Sequence, residues 1–274
     1  MKYAISAIVA GLNEADLLRN CLPPLRACDE LLYFDLGSVD GSIAVAKSFG
    51  ATVVRHDRVP AVEWIQAKYA SQTRHPWILI ADPDEVLADG LIEQLGELLR
   101  SGSLDPEFGA VDAPWQFYFG RRRLRGTPWG GFNKRTVLVH RDRFIFRPRV
   151  HTGREILPGY RSLQLEPRDS NLIHHYWMRD LPQLFEKHRR YLRQEGESRY
   201  TRGDRTTLLG VLAEPWRAFR YSFFATRGYR DGLLGVFLSF FWAWYQTAAK
   251  IELWRFTRSA VASARSGADR PPLT

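Results

Sequence analysis

The chain has 274 residues, of which 39 are Lys or Arg and 30 are Asp or Glu, for a net charge of +9. With 45% hydrophobic and 25% charged residues, it has the composition of a globular protein and is not a disordered chain. Two cysteines, Cys21 and Cys28, are too few for a disulfide scaffold or a multi-cysteine zinc site, and both are expected as apolar core residues. The charge is uneven. Residues 1–118 hold 9 basic and 17 acidic side chains, a net of −8, and residues 119–274 hold 30 and 13, a net of +17. That asymmetry points the second segment toward a polyanionic or anionic-membrane partner. Acidic Glu14 and Asp16 follow the first apolar run and no small-residue cleavage site follows it, so no signal peptide is expected.

In chain order, Tyr3–Ala10 reads as a strand, and residues 14–27 as a helix interrupted at Pro23 and Pro24. Leu31–Leu36 is a second strand. A helix over residues 40–49 follows, with Asp40 as its N-cap. Ala51–Arg55 and Trp77–Ala81 are further strands, separated by a helix over residues 62–73, and another helix covers residues 91–100. This alternation predicts an α/β fold with a mostly parallel sheet flanked by helices. Ligands of such sheets bind beyond the carboxyl ends of the strands, where Asn13, Glu14, Asp35, Asp82 and Asp84 fall. From Gly109 to Arg149 the pattern breaks into strands and loops. Residues 181–199 form a basic helix, residues 208–221 a helix interrupted at Pro215, and residues 232–249 an uncharged run rich in aromatics. That run reads as buried or interfacial ahead of membrane-spanning.

Asp82-Pro83-Asp84-Glu85 directly follows the apolar run WILIA. Carboxylates one residue apart in an extended turn can converge on a hard cation such as Mg²⁺ or Mn²⁺ shared with substrate phosphates. An acidic turn ahead of a helix is the plainer reading of the same residues. Asp35 ends a buried strand and needs a partner, which a nucleobase or ribose can supply. Arg121, Arg122, Arg123 and Arg125 form a charge run that either contacts acceptor phosphates or is a solvated loop. His174 and His175 form either a metal site or, by preference, a pair with one member buried and hydrogen-bonded. His56 and His75 carry no role.

The ordered set IVAGLNE (8–14), FDLGSVDGS (34–42) and LIADPDEVL (79–87) resembles glycosyltransferase family 2, with its GT-A fold. His151 after RPRV, and the segment 172–197 with its HHY and its basic helix, resemble the branch containing lipopolysaccharide and lipooligosaccharide core β-1,4-glucosyltransferases. The resemblance spans residues 3–255. It implies an inverting enzyme that takes a sugar from a nucleotide-diphosphate donor, by analogy UDP-linked, to a glycan or glycolipid hydroxyl.

The same resemblance implies that Asn13, Glu14 and Asp35 lie at the base, Asp82 at the ribose or donor sugar, and Asp84 at Mg²⁺ or Mn²⁺. His151 would be a further metal or phosphate ligand. The branch's Glu after that His is Thr152 here, which leaves Glu85 and Glu155 as alternative general bases. The expected organisation is a catalytic domain over residues 1–205, with nucleotide binding assigned to residues 1–118 and acceptor binding to residues 119–205. A helical region over residues 206–258 with membrane affinity and a disordered tail over residues 259–274 complete it. The expected location is cytoplasmic, peripheral at the inner membrane face. Two rival readings are a non-catalytic module binding an anionic membrane or nucleic acid, and a nucleotidyltransferase. The latter is disfavoured because the first loop, AGLNEAD, is acidic and lacks Lys or Arg.

Overall fold

The structure is a computed structural model that describes residues 2–104, 106–131, 133–148 and 154–268, with side chains described to 259 apart from 193 and 194. It divides into two compact units. The first comprises residues 1–116 and 132–177, and the second residues 117–131 and 178–274.

The first unit begins with β1 (Tyr3–Gly11), whose buried run needs no polar alternation because the strand is covered on both faces. Helix α1 (Ala15–Leu25) follows and buries Leu18, Cys21, Leu22 and Leu25, an i, i+3, i+4, i+7 stripe. Pro23 and Pro24 do not interrupt it. They occupy its last turn, which closes through the tighter bonds from Arg26 N–H to Pro23 O and from Ala27 N–H to Pro24 O. Then come β2 (Cys28–Asp35), α2 (Ser42–Ser48), β3 (Thr52–Arg55), α3 (Val62–Tyr69), β4 (Trp77–Ala81), β5 (Glu85–Leu87) and α4 (Asp89–Arg100). Asp40 does not cap α2 from the adjoining position, which Gly41 holds. Its carboxylate instead accepts from Ser42 N–H at 2.9 Å and Ala15 N–H at 3.1 Å, tying together the starts of α1 and α2.

The region after residue 100 is more regular than its sequence pattern suggested. It contains β6 (Phe108–Phe119), β7 (Arg122–Arg123), β8 (Asn133–His140), β9 (Phe144–Phe146), β10 (Arg154–Ile156), β11 (Arg161–Gln164) and β12 (Ile173–Met178). The main sheet runs β3-β2-β1-β4-β8-β6-β12-β5. Its first four strands are parallel, and β8 enters antiparallel between β4 and β6. The chain moves outward from β1 to β3 and then returns to β4 on the other side, so β1 and β4 flank a topological switch. Two apolar clusters cover the sheet's faces, one around Ile5, Leu18 and Leu95, the other around Ile8, Ile65 and Ile80. Both cysteines are buried and unpaired, as expected, and burial pushes the Cys28 thiol up to about 12.

In the second unit, the last residues of β6 and β7 form a hairpin, Tyr118 opposite Arg123. Helices α5 (Leu181–Thr201) and α6 (Leu208–Arg220) both pack on α7 (Gly232–Ala268). Asp180 caps α5 by accepting from Gln183 N–H at 2.9 Å, and Thr207 caps α6. Helix α5 therefore groups with the C-terminal helices, whereas the sequence boundary at residue 205 placed it with the sheet. Helix α6 runs through Pro215 unbroken, and α7 continues through residue 259 to Ala268, past the expected start of a disordered tail. No helix among the described residues is long and apolar enough to cross a membrane.

Candidate active site

The acidic segment is built around one turn. Asp82-Pro83-Asp84-Glu85 leaves the fully buried β4, and Glu85 N–H closes on Asp82 O at 3.0 Å. Proline at the second position presets the turn. Glu85 folds back, and its Oε2 accepts from Asp82 N–H at 3.0 Å. Gly11, at the end of β1, admits this turn closely: a Cβ there would lie 3.2 Å from Pro83 Cγ. The loop after β1 and the acidic turn are thereby brought together at the switch point.

Glu85 is fully buried. Arg135, from the middle strand β8, pairs with its Oε2 and also reaches Asp82 Oδ2 at 2.9 Å. Burial draws the Arg135 guanidinium below its ordinary pKa, and the Asp82 carboxylate opposes that shift. Trp115 on β6 lies 5.8 Å from the guanidinium, ring centre to cation. The indole also lies against the His175 ring at 4.8 Å. His175 stands directly across from Glu85 in the β5–β12 pairing. Its Nδ1 is 3.5 Å from Asp84 Oδ1 and 3.9 Å from Glu85 Oε1. His175 of the His174–His175 pair is buried, the part of the favoured sequence reading that burial bears on.

The carboxyl ends of β2 and β3 form a cleft of about 590 Å³ lined by Asp35, Ser38, Arg55, His56, Lys68 and Tyr69. Asp35 is almost fully buried, and its carboxylate accepts from Gly37 and Ser38 N–H at 3.3 Å. Asn13 adopts a left-handed conformation, φ 59°, which asparagine tolerates. Its N–H donates to Ser38 Oγ at 2.9 Å, and its carboxamide oxygen accepts from Val39 N–H at 2.8 Å. Glu14 N–H donates to Ser42 Oγ at 2.9 Å. Asn13 and Glu14 therefore fasten the loop after β1 to the loop after β2. His56, given no role from sequence, lines the cleft with its Nε2 3.2 Å from Lys68 Nζ. His75 lies elsewhere, paired with Asp29 at 2.8 Å.

Glu155 and the arginine run have partners of their own. Glu155 on β10 is exposed and pairs with Arg147 at 3.3 Å. His151 and Thr152 lie outside the described residues. The arginine run belongs to the second unit. There Arg122 donates to Asp231 O at 2.7 Å, and the Arg125 and Gly126 N–H groups donate to the buried Asp231 carboxylate at 2.8 and 2.7 Å. Arg122 and the Arg125 backbone thus brace the start of α7, whereas the sequence left the run as acceptor contact or solvated loop. Arg121 is exposed and Arg123 half-buried.

Arg135 is the group that sequence reasoning missed. It is the one arginine in NKRTVLVH, fifty or more residues from the acids it serves, and the β4–β8 pairing brings it to them. Among the described residues, no group of three or more His, Cys, Asp or Glu side chains is arranged to hold a metal ion by itself. Three carboxylates, Asp82, Asp84 and Glu85, nevertheless meet at the turn, and Arg135 pairs with Asp82 and Glu85. Asp84 is partly open, with 27% of its side chain exposed. Such a donor set suits a hard divalent cation that takes one or two protein carboxylates and draws its other ligands from phosphate and water.

The fold is the GT-A fold of glycosyltransferases. The structure aligns with the mannosyltransferase PcManGT from Pyrobaculum calidifontis, solved with GDP-Man and Mn²⁺, at a TM-score of 0.56, 16% identity, and coverage of 92% of this chain and 87% of that one. In sequence the chain is similar to the lipopolysaccharide core biosynthesis glycosyltransferase LpsC of Rhizobium meliloti (strain 1021). The two are 27% identical over 259 residues, 91% of this chain and 92% of that protein. An uncharacterized glycosyltransferase of Rickettsia bellii (strain RML369-C) is 23% identical over 250 residues, 86% of this chain and 83% of its own length. No protein-family model matches the sequence.

Proposed function

We propose that the protein is an inverting glycosyltransferase of the family 2 type. It moves one sugar from a nucleotide-diphosphate donor, a UDP-sugar first among candidates, to a glycan or glycolipid hydroxyl in lipopolysaccharide core assembly. It does so as a peripheral protein at the cytoplasmic face of a membrane. The observation that carries this reading is the acidic turn at the sheet's switch point, with Arg135 neutralising its buried half and leaving Asp84 partly open. The similarity to LpsC over nearly the whole of both chains supports the same class of reaction and acceptor.

In this reading the cleft beside Asp35 takes the nucleoside, and Arg55 and Lys68 supply positive charge along its wall. Asp84 holds Mg²⁺ or Mn²⁺, with Asp82 beside it, steadied by Arg135. The cation, when bound, neutralises charge on the departing diphosphate. The base that takes the acceptor's proton must reach that hydroxyl. Glu155 has the exposure this requires, whereas Glu85 is sealed in the turn and acts to position Asp82.

The test is calorimetry of UDP, GDP, CDP and ADP with and without Mn²⁺, on wild type and Asp84→Asn. Metal-dependent binding of one diphosphate, lost in a folded Asp84→Asn protein, is the expected result and identifies the base. Binding of none of the four by folded wild type overturns the reading. With a donor identified, Glu155→Gln is expected to lower turnover at least tenfold while leaving diphosphate binding unchanged, within the usual range for a general base. Unchanged turnover would remove Glu155 from the reaction.

A further inference from the structure

Helix α6 is buried on one side and apolar on the opposite, exposed side. Val211, Glu214 and Ala218, spaced i, i+3, i+7, are buried in the second unit. Leu209, Leu212 and Trp216 have the same spacing on the opposite side and are 78%, 67% and 65% exposed. A helix that only completes a core shows a polar outer face. The apolar face continues onto α7, where Leu233, Phe240 and Trp244 recur at i, i+7, i+11 and are all exposed. The two helices join through Phe219, whose ring centre is 4.6 Å from that of Phe240.

The exposed charges along this stretch of chain have one sign. Between residues 208 and 249, all described, the acidic side chains are Glu214 and Asp231, and both are buried. Glu214 pairs with Lys250 at 2.6 Å and Arg217 at 3.2 Å, and the Asp231 carboxylate accepts from backbone N–H groups. The charged residues left exposed in that span are Arg217, Arg220, Arg227 and Arg230. A groove of about 930 Å³ on α6 and the turn after it sets Arg217 and Arg220 beside Trp216, Tyr221 and Phe224. Aromatic rings with guanidinium groups at their edge suit the boundary between acyl chains and anionic headgroups.

We infer that the outward face of α6 and α7 docks on an anionic lipid bilayer, with Leu209, Leu212 and Trp216 entering the acyl boundary and Arg217 and Arg220 meeting headgroup phosphates. Charge complementarity selects this occupant. A second copy of the chain would bring the same arginines face to face, and like charges brought together oppose association. The inference deepens the peripheral association proposed above and is independent of donor chemistry. A helix in this position lies in the plane of the surface and does not cross it.

The test is co-sedimentation of the full chain with vesicles of phosphatidylcholine and phosphatidylglycerol in equal amounts, and with vesicles of phosphatidylcholine alone. Wild type is expected to pellet with the first and to bind the second at least about tenfold more weakly, with affinity falling as salt rises. Leu212→Asp/Trp216→Ala is expected to lose at least about tenfold of the anionic-vesicle affinity, because two apolar side chains no longer leave water. Arg217→Gln/Arg220→Gln should lose the preference for anionic lipid while keeping residual binding. All replaced side chains are exposed, so far-ultraviolet circular dichroism should be unchanged. Diphosphate calorimetry on the same variants should also be unchanged, which separates failure here from failure of the donor site. Wild type that stays in the supernatant, or that self-associates through this face in a manner abolished by Leu212→Asp, overturns the inference.

Discussion

Removing the Arg135 guanidinium would leave Glu85, a fully buried carboxylate, without its cation. Breaking a buried pair from one side is among the costliest single changes. Arg135→Met is expected to lower stability by about 3–5 kcal/mol in urea unfolding, and Arg135→Lys by less, since it keeps charge but not the two-pronged reach to Asp82 and Glu85. Equal stability of Arg135→Met and wild type would show that the pair is not needed to hold the turn. A second residue-scale effect concerns His188 on α5. Its Nδ1 lies 2.7 Å from Leu184 O and its ring packs against Phe241 and Tyr245, each at 4.9 Å. Burial holds its pKa below the ordinary 6.5. The unfolded chain therefore takes up this proton more readily than the folded one. The stability contributed by neutral His188 is complete above about pH 6.5 and is lost as pH falls through its lower folded value. His188→Leu should flatten that portion of the stability–pH curve, and an unchanged slope would assign the titration elsewhere.

At the scale of elements, most of the β-α alternation in the first hundred residues was legible, because strand runs and helix stripes are local signals. The prolines were misjudged for a reason that propensity does not include. Pro23 and Pro24 sit where the helix is already ending, and α6 carries Pro215 because its Val211–Glu214–Ala218 face is held on α7 by burial. In α1 position at the helix end limits the local penalty, and in α6 tertiary packing outweighs it. Gly96 in α4 makes the same point in reverse. Helix propensity alone favours Gly96→Ala by up to about 1 kcal/mol. In the structure a Cβ there would run into the Tyr3 ring, whose centre lies 5.4 Å from the Arg100 guanidinium. Overpacking of this kind costs about 1–3 kcal/mol, so Gly96→Ala is expected to lower the midpoint of thermal unfolding. A raised midpoint would mean that Tyr3 yields freely.

Across the whole molecule, the opposed charges of the two segments of the sequence correspond to two kinds of surface. The first unit holds the acidic turn and the cleft beside Asp35; the second holds helices whose exposed charges between residues 208 and 249 are all arginine. Donor binding and lipid binding should therefore separate genetically. Asp84→Asn is expected to lose metal-dependent diphosphate binding and keep vesicle binding, and Leu212→Asp/Trp216→Ala the reverse. Loss of both in either folded variant would contradict this division.

The sequence by itself determined the parallel half of the sheet, the acids at its strand ends and the basic, aromatic character of the second segment. Period-2 and period-3.6 patterns, turn residues and net charge are all properties of near neighbours in the chain. Only the tertiary structure decided that Arg135 holds Asp82 and Glu85, that His175 faces the same acids, that Arg122 braces Asp231, and which side of α6 faces outward. Each of those rests on pairing or packing between residues far apart in sequence. A lone arginine in one strand, or an apolar stripe on one helix, does not state in its own neighbourhood what will lie against it.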